Sequence, residues 1–316
     1  MNVYLPIAEM SVNFLILLAI GAAGGFFSGL FGLGGGFLVT PLLAFIGVPS
    51  SVAVGTQANQ LVGTSLSGVL AHWKRRNIDL RMGMIMLVGG FAGSAVGAEI
   101  FKWLQTLGNI DVAIKMCYVT MLGGMGWAIF AESSRRLWKR KQAALSGTGS
   151  ENIAAAQPPQ EMMRLWGADS WSALDFPVSR LRVSVFVPAG IGFIGGVLLS
   201  LIGTGGFFLI PAMIYIVRMP PRLVSGTTLF QIVFTSTFTT ILQATVNHSV
   251  DILMAAVLMI GGVVGAPIGA RVSSRLNPVW ARFLLGLLLI LMAAKLLESL
   301  MTTPSEPFSL ETRLLL

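Results

Sequence analysis

Long apolar stretches that carry almost no charge alternate along the chain with short polar or basic ones. The stretches 11–30, 52–71, 82–100, 184–202, 252–270 and 279–294 each approach the roughly 20 residues a helix needs to cross a hydrocarbon core. They predict membrane-spanning helices, with lipid as the solvent.

The pattern repeats. GGGFLVTPLLAFI (34–46) matches TGGFFLIPAMIYI (204–216), pairing Gly35 with Gly205, Gly36 with Gly206, Phe37 with Phe207 and Pro41 with Pro211. GTQANQLVGTS (55–65) then matches GTTLFQIVFTS (226–236), and Asp79 with GGFAGSAVGA (89–98) matches Asp251 with GGVVGAPIGA (261–270). Three blocks in one order mark an internal duplication. The halves are 1–131 and 184–316, joined by a basic linker, 132–183, whose Ser/Gly/Ala/Gln/Pro-rich part cannot bury a core.

The motifs predict an all-α membrane protein with about ten transmembrane segments, five per half. The second segment of each half (from Phe37 to Gly47 and from Phe207 to Arg218) is short and follows a glycine cluster. With five crossings per half, 17 of the 21 Lys and Arg fall on the side of the linker, leaving Lys102, Lys115, Lys295 and Arg313 opposite. By the positive-inside bias the linker is cytoplasmic and both termini external, which makes the halves inverted-topology repeats. The alternative treats the two short segments as re-entrant beside eight full spans, and divides the same charges less unequally.

Composition sharpens the class. The chain is 54% hydrophobic and 11% charged, a balance that a soluble domain of 316 residues could hardly keep in solution. Its net charge of +8 lies in clusters beside apolar spans and so reads as topology signal, not as a nucleic-acid surface. Cys117 is the lone cysteine, which excludes an internal disulfide. No His/Cys/Asp/Glu group has metal-ligand spacing, no phosphate loop follows a strand, and no nucleophile–base pair can be named. The expectation is a non-enzyme without cofactor or metal, whose partners are the bilayer and a small anionic substrate. The first apolar segment runs into a repeated motif and lacks a basic start, so it is expected to stay in the mature protein.

Inverted repeats hold substrate near the midplane, where broken helices turn free N–H groups and positive dipole ends toward an anion. Gly34, Gly35 and Gly36, and Gly203, Thr204, Gly205 and Gly206, suit such breaks, although glycines also serve close helix packing; Gly89, Gly90, Gly93 and Gly97 look like packing glycines. Thr56, Gln60 and Thr64 recur every fourth residue, and Thr227, Gln231 and Thr235 repeat the trio. Such faces can bond oxyanions, or glue helices and bond back to their own backbone. Gln57 adds polarity to the first half only. His72, His248 and Glu99 are candidates for a proton relay, with interfacial positions as the simpler reading.

On GLFGLGGGFLVTPLL, the AVGTQ block, HWKRRNIDLRMG, GGFAGSAVGA and the degenerate second copy TGGFFLIPAM, SGTTLFQ and GGVVGAPIGAR, the sequence resembles the sulfite exporter TauE/SafE family over nearly the whole chain outside the linker. The resemblance implies a secondary transporter in the bacterial inner membrane, exporting sulfite or organosulfonates such as sulfoacetate. A sulfonate offers three oxygens to backbone and side-chain donors. Gly35, Gly36, Gly205, Gly206, Thr56, Gln60, Thr227 and Gln231 carry over by position. The rival readings are an anion channel, or a membrane scaffold that passes sulfur compounds to a cytosolic enzyme.

Overall fold

An apolar segment in lipid must satisfy every backbone N–H and C=O within itself, and the chain answers with helices. The computed structural model describes residues 2–31, 36–74, 76–108, 110–145, 173–179, 181–273 and 278–301. Ten helices lie among them: α1 (Phe14–Phe31), α2 (Gly36–Phe45), α3 (Ser50–Lys74), α4 (Leu80–Thr106), α5 (Ile110–Leu145), α6 (Phe186–Ile202), α7 (Gly206–Val217), α8 (Pro221–Thr245), α9 (Ile252–Ser273) and α10 (Pro278–Met301).

Five stretches within these helices are long and apolar enough to cross a membrane: Phe14–Phe31, Leu80–Thr106, Ile110–Arg135, Ile252–Gly269 and Phe283–Met301. Three shorter apolar helices join them, namely α2, α6 and α7. Helices α3 and α8 have 25 residues each, with Thr, Ser and Gln interrupting their apolar run.

The short segments end where the sequence analysis placed them. Gly47 (φ +93) follows α2, and Arg218 (φ 63) follows α7, both in the left-handed region that closes a helix. Each short helix also contains a proline, Pro41 or Pro211, which removes one backbone donor. In α7 the last turn, Met213–Val217, widens to a π-helix just after Pro211.

The fold is helical, but two hairpins escaped the sequence analysis. Strand β1 (Asn2–Leu5) pairs antiparallel with β2 (Met10–Asn13), Leu5 opposite Met10, and β3 (Ala173–Phe176) pairs with β4 (Leu181–Ser184), Phe176 opposite Leu181. Four-residue strands offer too few alternating positions to stand out. Each hairpin leads into the first helix of its half, at one and the same offset of 171 residues. The segment expected as linker, 132–183, therefore begins inside α5, which runs to Leu145, and ends inside the β3–β4 hairpin.

Glycines set the helix pairs. A Cβ on Gly25 would lie 2.1 Å from the Gly262 carbonyl oxygen, and one on Gly269 would lie 1.9 Å from that of Phe26, so α1 and α9 touch backbone to backbone. The pair α4/α6 does the same through Gly89 against Ala189 and Gly93 against Phe193. In both pairs the contact indices rise together, so the helices run parallel. Contact indices run oppositely in α5/α10, where Gly123 meets Ala293 and Gly286 meets Phe130. They also run oppositely in α3/α8, where Gly55 meets Ser249 just past α8 and Gly68 meets Leu229.

Candidate functional site

At the α6–α7 break the helical ladder stops at Ile202. Gly203 takes φ +68 and its N–H closes the end on the Leu199 carbonyl at 2.9 Å, a conformation that suits glycine because it has no Cβ. Thr204 and Gly205 follow, and α7 starts at Gly206. Gly205 is pressed against α6, where an added Cβ would lie 2.6 Å from the Gly195 oxygen. Residues 203–207 are all buried.

A helix end leaves its last four carbonyls without intrahelical partners. Here three of them are met by side chains from three different helices. Gln243, on α8, donates through Nε2 to the Ser200 oxygen at 2.7 Å; Tyr118, on α5, donates its hydroxyl to the Ile202 oxygen; Gln57, on α3, donates through Nε2 to the Gly203 oxygen at 2.9 Å. All three donors are neutral and buried.

The donors at the opposite end of the break have no hydrogen-bond partner among the described residues. No described residue accepts a backbone hydrogen bond from Thr204, Gly205, Gly206 or Phe207. The Thr204 hydroxyl and the Ser200 hydroxyl are buried without a partner among the described residues. Free amides at a helix start carry the positive end of its dipole, so the arrangement favours a negative group. The buried charged side chains among the described residues are Asp79 and Asp251, both elsewhere.

Helix α2 brings its own start to this point. Gly36 leaves no room for a side chain: a Cβ would lie 2.1 Å from Gln57 Nε2 and 2.9 Å from the Gly203 oxygen. Gln57 Oε1 accepts from the Thr40 hydroxyl of α2, so one glutamine joins α2 to the α6–α7 break. The Phe37 and Phe207 rings, one residue into each short helix, pack at 5.5 Å. Gly34 and Gly35 lie outside the described residues.

The two Thr–Gln–Thr trios are not brought together. Gln60 and Thr64 press on Gly262 of α9, with Gln60 Nε2 reaching the Gly21 oxygen of α1 at 3.4 Å; Gln231 and Thr235 press on Gly90 of α4. The hydroxyls of Thr64 and Thr235 bond back to the carbonyls of Gln60 and Gln231, four residues earlier. Thr56 and Thr227 accept the backbone N–H groups of Asp251 and Asp79, at 3.0 Å each. Among the described residues, Gln231 Oε1 alone of this set is buried without a partner.

His72 sits in the last turn of α3 and His248 in the loop after α8. Because α3 and α8 run antiparallel, these two lie at opposite ends of the molecule. Glu99 is exposed on α4.

Tyr118, Gln243, Ser200 and Thr40 went unnoticed in the sequence. For Gln243 a signal existed: Thr227, Gln231, Thr235, Thr239, Gln243 and Asn247 continue the four-residue spacing, and all six are buried. The stripe carries a connected network, in which Asn247 Nδ2 and the Ser249 hydroxyl donate to Gln243 Oε1 at 2.7 and 3.0 Å, while Thr239 donates to Ser94 at 3.0 Å. Tyr118 had no such signal, lying alone in an apolar run.

Comparison with known proteins adds the following. The family model described as sulfite exporter TauE/SafE matches residues 17–296. The chain is 26% identical over 298 residues to the probable membrane transporter protein YunE of Bacillus subtilis, covering 90% of this chain and 98% of that protein. It is 26% identical over 292 residues to the probable membrane transporter protein YjnA of the same organism (91% and 100% covered), and 26% identical over 269 residues to a probable membrane transporter protein of Xylella fastidiosa (83% and 86% covered). No solved structure matches the chain significantly.

Proposed function

Because the chain is a membrane transporter of the sulfite exporter TauE/SafE family, we propose that it carries small sulfur oxyanions outward across the bacterial inner membrane by alternating access. The substrates are sulfite or organosulfonates such as sulfoacetate. The anion rests at the α6–α7 break, on the amides of Thr204–Phe207 and the Thr204 hydroxyl, with Gly36 beside the break from the first half.

One observation carries this reading. At one buried break, three carbonyls are occupied by neutral donors while the amides of Thr204–Phe207 and the Thr204 hydroxyl have no partner among the described residues. A compact oxyanion is the solute that completes such a set. The two halves act as inverted-topology repeats, which the antiparallel packing of α3 on its counterpart α8, and of α5 on its counterpart α10, supports. The linker faces the cytoplasm and the termini the opposite side, as the distribution of Lys and Arg supports.

The test is thermal stabilisation of detergent-purified protein by sulfite, thiosulfate, sulfoacetate, taurine and sulfate. A ligand at a hundred times its Kd stabilises the folded state by about 2.7 kcal/mol, so a true substrate stands clear of the others. Saturable counterflow in liposomes identifies a carrier; unitary conductance would identify a channel. Absence of binding and of saturable flux across the whole panel would sink the proposal.

A further inference from the structure

We propose that Gln57, Tyr118 and Gln243 are positioning residues for the anion site. They neutralise the carbonyl end of α6 with uncharged donors, so that the negative end of one helix does not oppose the positive start of the next. The inference rests on the anion reading above and deepens it, by assigning selectivity for anions to residues that do not themselves touch the solute.

The electrostatics require such a device. The carbonyls of Ser200, Ile202 and Gly203 stand within a few residues of the amides of Thr204–Phe207, so left bare they would set a ring of partial negative charge beside the anion. A Lys or Arg would quench that charge but would also bind the anion as a fixed counter-ion and hinder its release. An amide or a phenol supplies the hydrogen bond without a net charge. The contacts at 2.7 and 2.9 Å from Gln243 and Gln57, with that of Tyr118 between them, take one carbonyl each.

The arrangement is asymmetric, which marks it as more than helix glue. In the repeat alignment Gln57 stands opposite Thr228, whose hydroxyl bonds back to the Val224 carbonyl at 2.9 Å. Gln243 stands opposite His72, and Tyr118 opposite an apolar stretch of α10. All three donors to the α6 end therefore fall where the two halves differ. Gln57 is fixed further by Thr40, and Gly36 packs directly on its amide.

The decisive variant is Gln57→Glu, close to isosteric, which donates to the Gly203 carbonyl only when its carboxyl is protonated. Ionised, it offers no donor and adds a charge that repels the anion. Function is therefore present at low pH, where the carboxyl is protonated, and lost as it ionises at higher pH. Helix α5 carries Asp111, Lys115, Cys117 and Tyr118 in its first half and Glu132 with a run of Arg and Lys in its second; α3 itself ends in His72 and Lys74, α7 carries Tyr215, α8 has Arg222 in its first turn, and Asp251, whose N–H is held by Thr56, precedes α9; α2 and α6 carry none. Wild type and Gln57→Leu, which has no donor at any pH, serve as references for their titration.

Uptake of methanesulfonate and of sulfate, whose charges are constant between about pH 5 and 9, is measured in liposomes for all three proteins. The expected result is a KM that rises at least about tenfold from low to high pH in Gln57→Glu relative to wild type, and a KM raised at every pH in Gln57→Leu. A tenfold change corresponds to 1.4 kcal/mol, the scale of one hydrogen bond. Tyr118→Phe, which removes a single hydroxyl, should raise KM in a protein that still folds with a modestly lowered Tm, and supports the proposal if the Gln57 variants fail to fold. Flux in wild type with Gln57→Glu following the wild-type pH profile, or Tyr118→Phe matching wild type in KM, overturns the positioning role and leaves the anion site standing. No saturable flux in wild type, of these two anions or of any in the panel above, overturns the anion reading, and this inference with it.

Discussion

The Thr56 hydroxyl, on α3 of the first half, accepts the backbone N–H of Asp251 from the second half at 3.0 Å; Thr227 accepts that of Asp79 at the same distance. Each aspartate then caps the helix that follows it, Asp251 on the Met254 N–H at 3.0 Å and Asp79 on the Met82 N–H at 3.2 Å. Their second oxygens hold the hairpin turns: Asp251 accepts from Ile7 N–H at 3.1 Å, and Asp79 from Ser179. Two matching clasps, one at each end of the α3/α8 pair, thus tie each half to the other.

Asp79→Ala removes a cap and strands the Ser179 N–H in a buried place. We expect a loss of about 2–3 kcal/mol, the sum of a lost cap and an unmet donor. Thr227→Val removes only the acceptor for the Asp79 N–H, with about 1 kcal/mol lost. The Asp79→Ala and Asp251→Ala changes sit at opposite ends, so their losses should add to within about 0.5 kcal/mol. Denaturation midpoints in detergent read all four; a double variant no worse than either single one would break the two-clasp account.

Gly93 allows α4 to touch α6, and a Cβ there would lie 1.9 Å from the Phe193 carbonyl oxygen. Backbone cannot yield as a flexible side chain does, so Gly93→Ala should cost about 3 kcal/mol by forcing two helices apart. Gly190, near the start of α6, has open space around its added Cβ. Gly190→Ala should therefore be neutral or gain up to about 1 kcal/mol from helix propensity. Equal effects of the two substitutions on Tm would contradict close backbone packing as the role of the repeated glycine block.

Thr64 and Thr235 looked like ligand residues by spacing, yet their hydroxyls are spent on their own helices. Thr64→Val and Thr235→Val should leave the KM of transport within about twofold of wild type, because no bond to a solute is lost. Thr204→Val, which removes a buried hydroxyl without a partner among the described residues, should raise KM about tenfold, the worth of one hydrogen bond to a charged group. Uptake kinetics in liposomes decide; the reverse ranking would move the site onto the trios.

The sequence made legible what the two halves share, because duplication raises polar and glycine positions above an apolar background. The α6–α7 break, the short helices ending at Gly47 and Arg218, and the packing role of Gly89, Gly93 and Gly97 were all readable in that way. Four-residue hairpins were not, since burial of Leu5 or Phe176 alternates over too few positions. Least legible were Tyr118 and Gln243, because they differ between the halves and repetition therefore masks them. Gln57 was noticed only as extra polarity; that it reaches the Gly203 carbonyl, 146 residues away in sequence, depends on tertiary packing that no local pattern records.

The last prediction concerns sidedness. The α3–α4 loop and the α4–α5 loop lie at opposite ends of α4, a 27-residue helix, and so emerge on opposite faces of the membrane. Lys74, Arg75, Arg76 and Arg81 cluster at the first loop, and basic clusters are retained on the cytoplasmic face. In a Cys117→Ser background, Leu107→Cys, at an exposed loop position, should react with an impermeant maleimide in intact cells. Trp73→Cys, exposed near the other loop, should react only after the membrane is opened. The opposite labelling pattern would invert the proposed orientation.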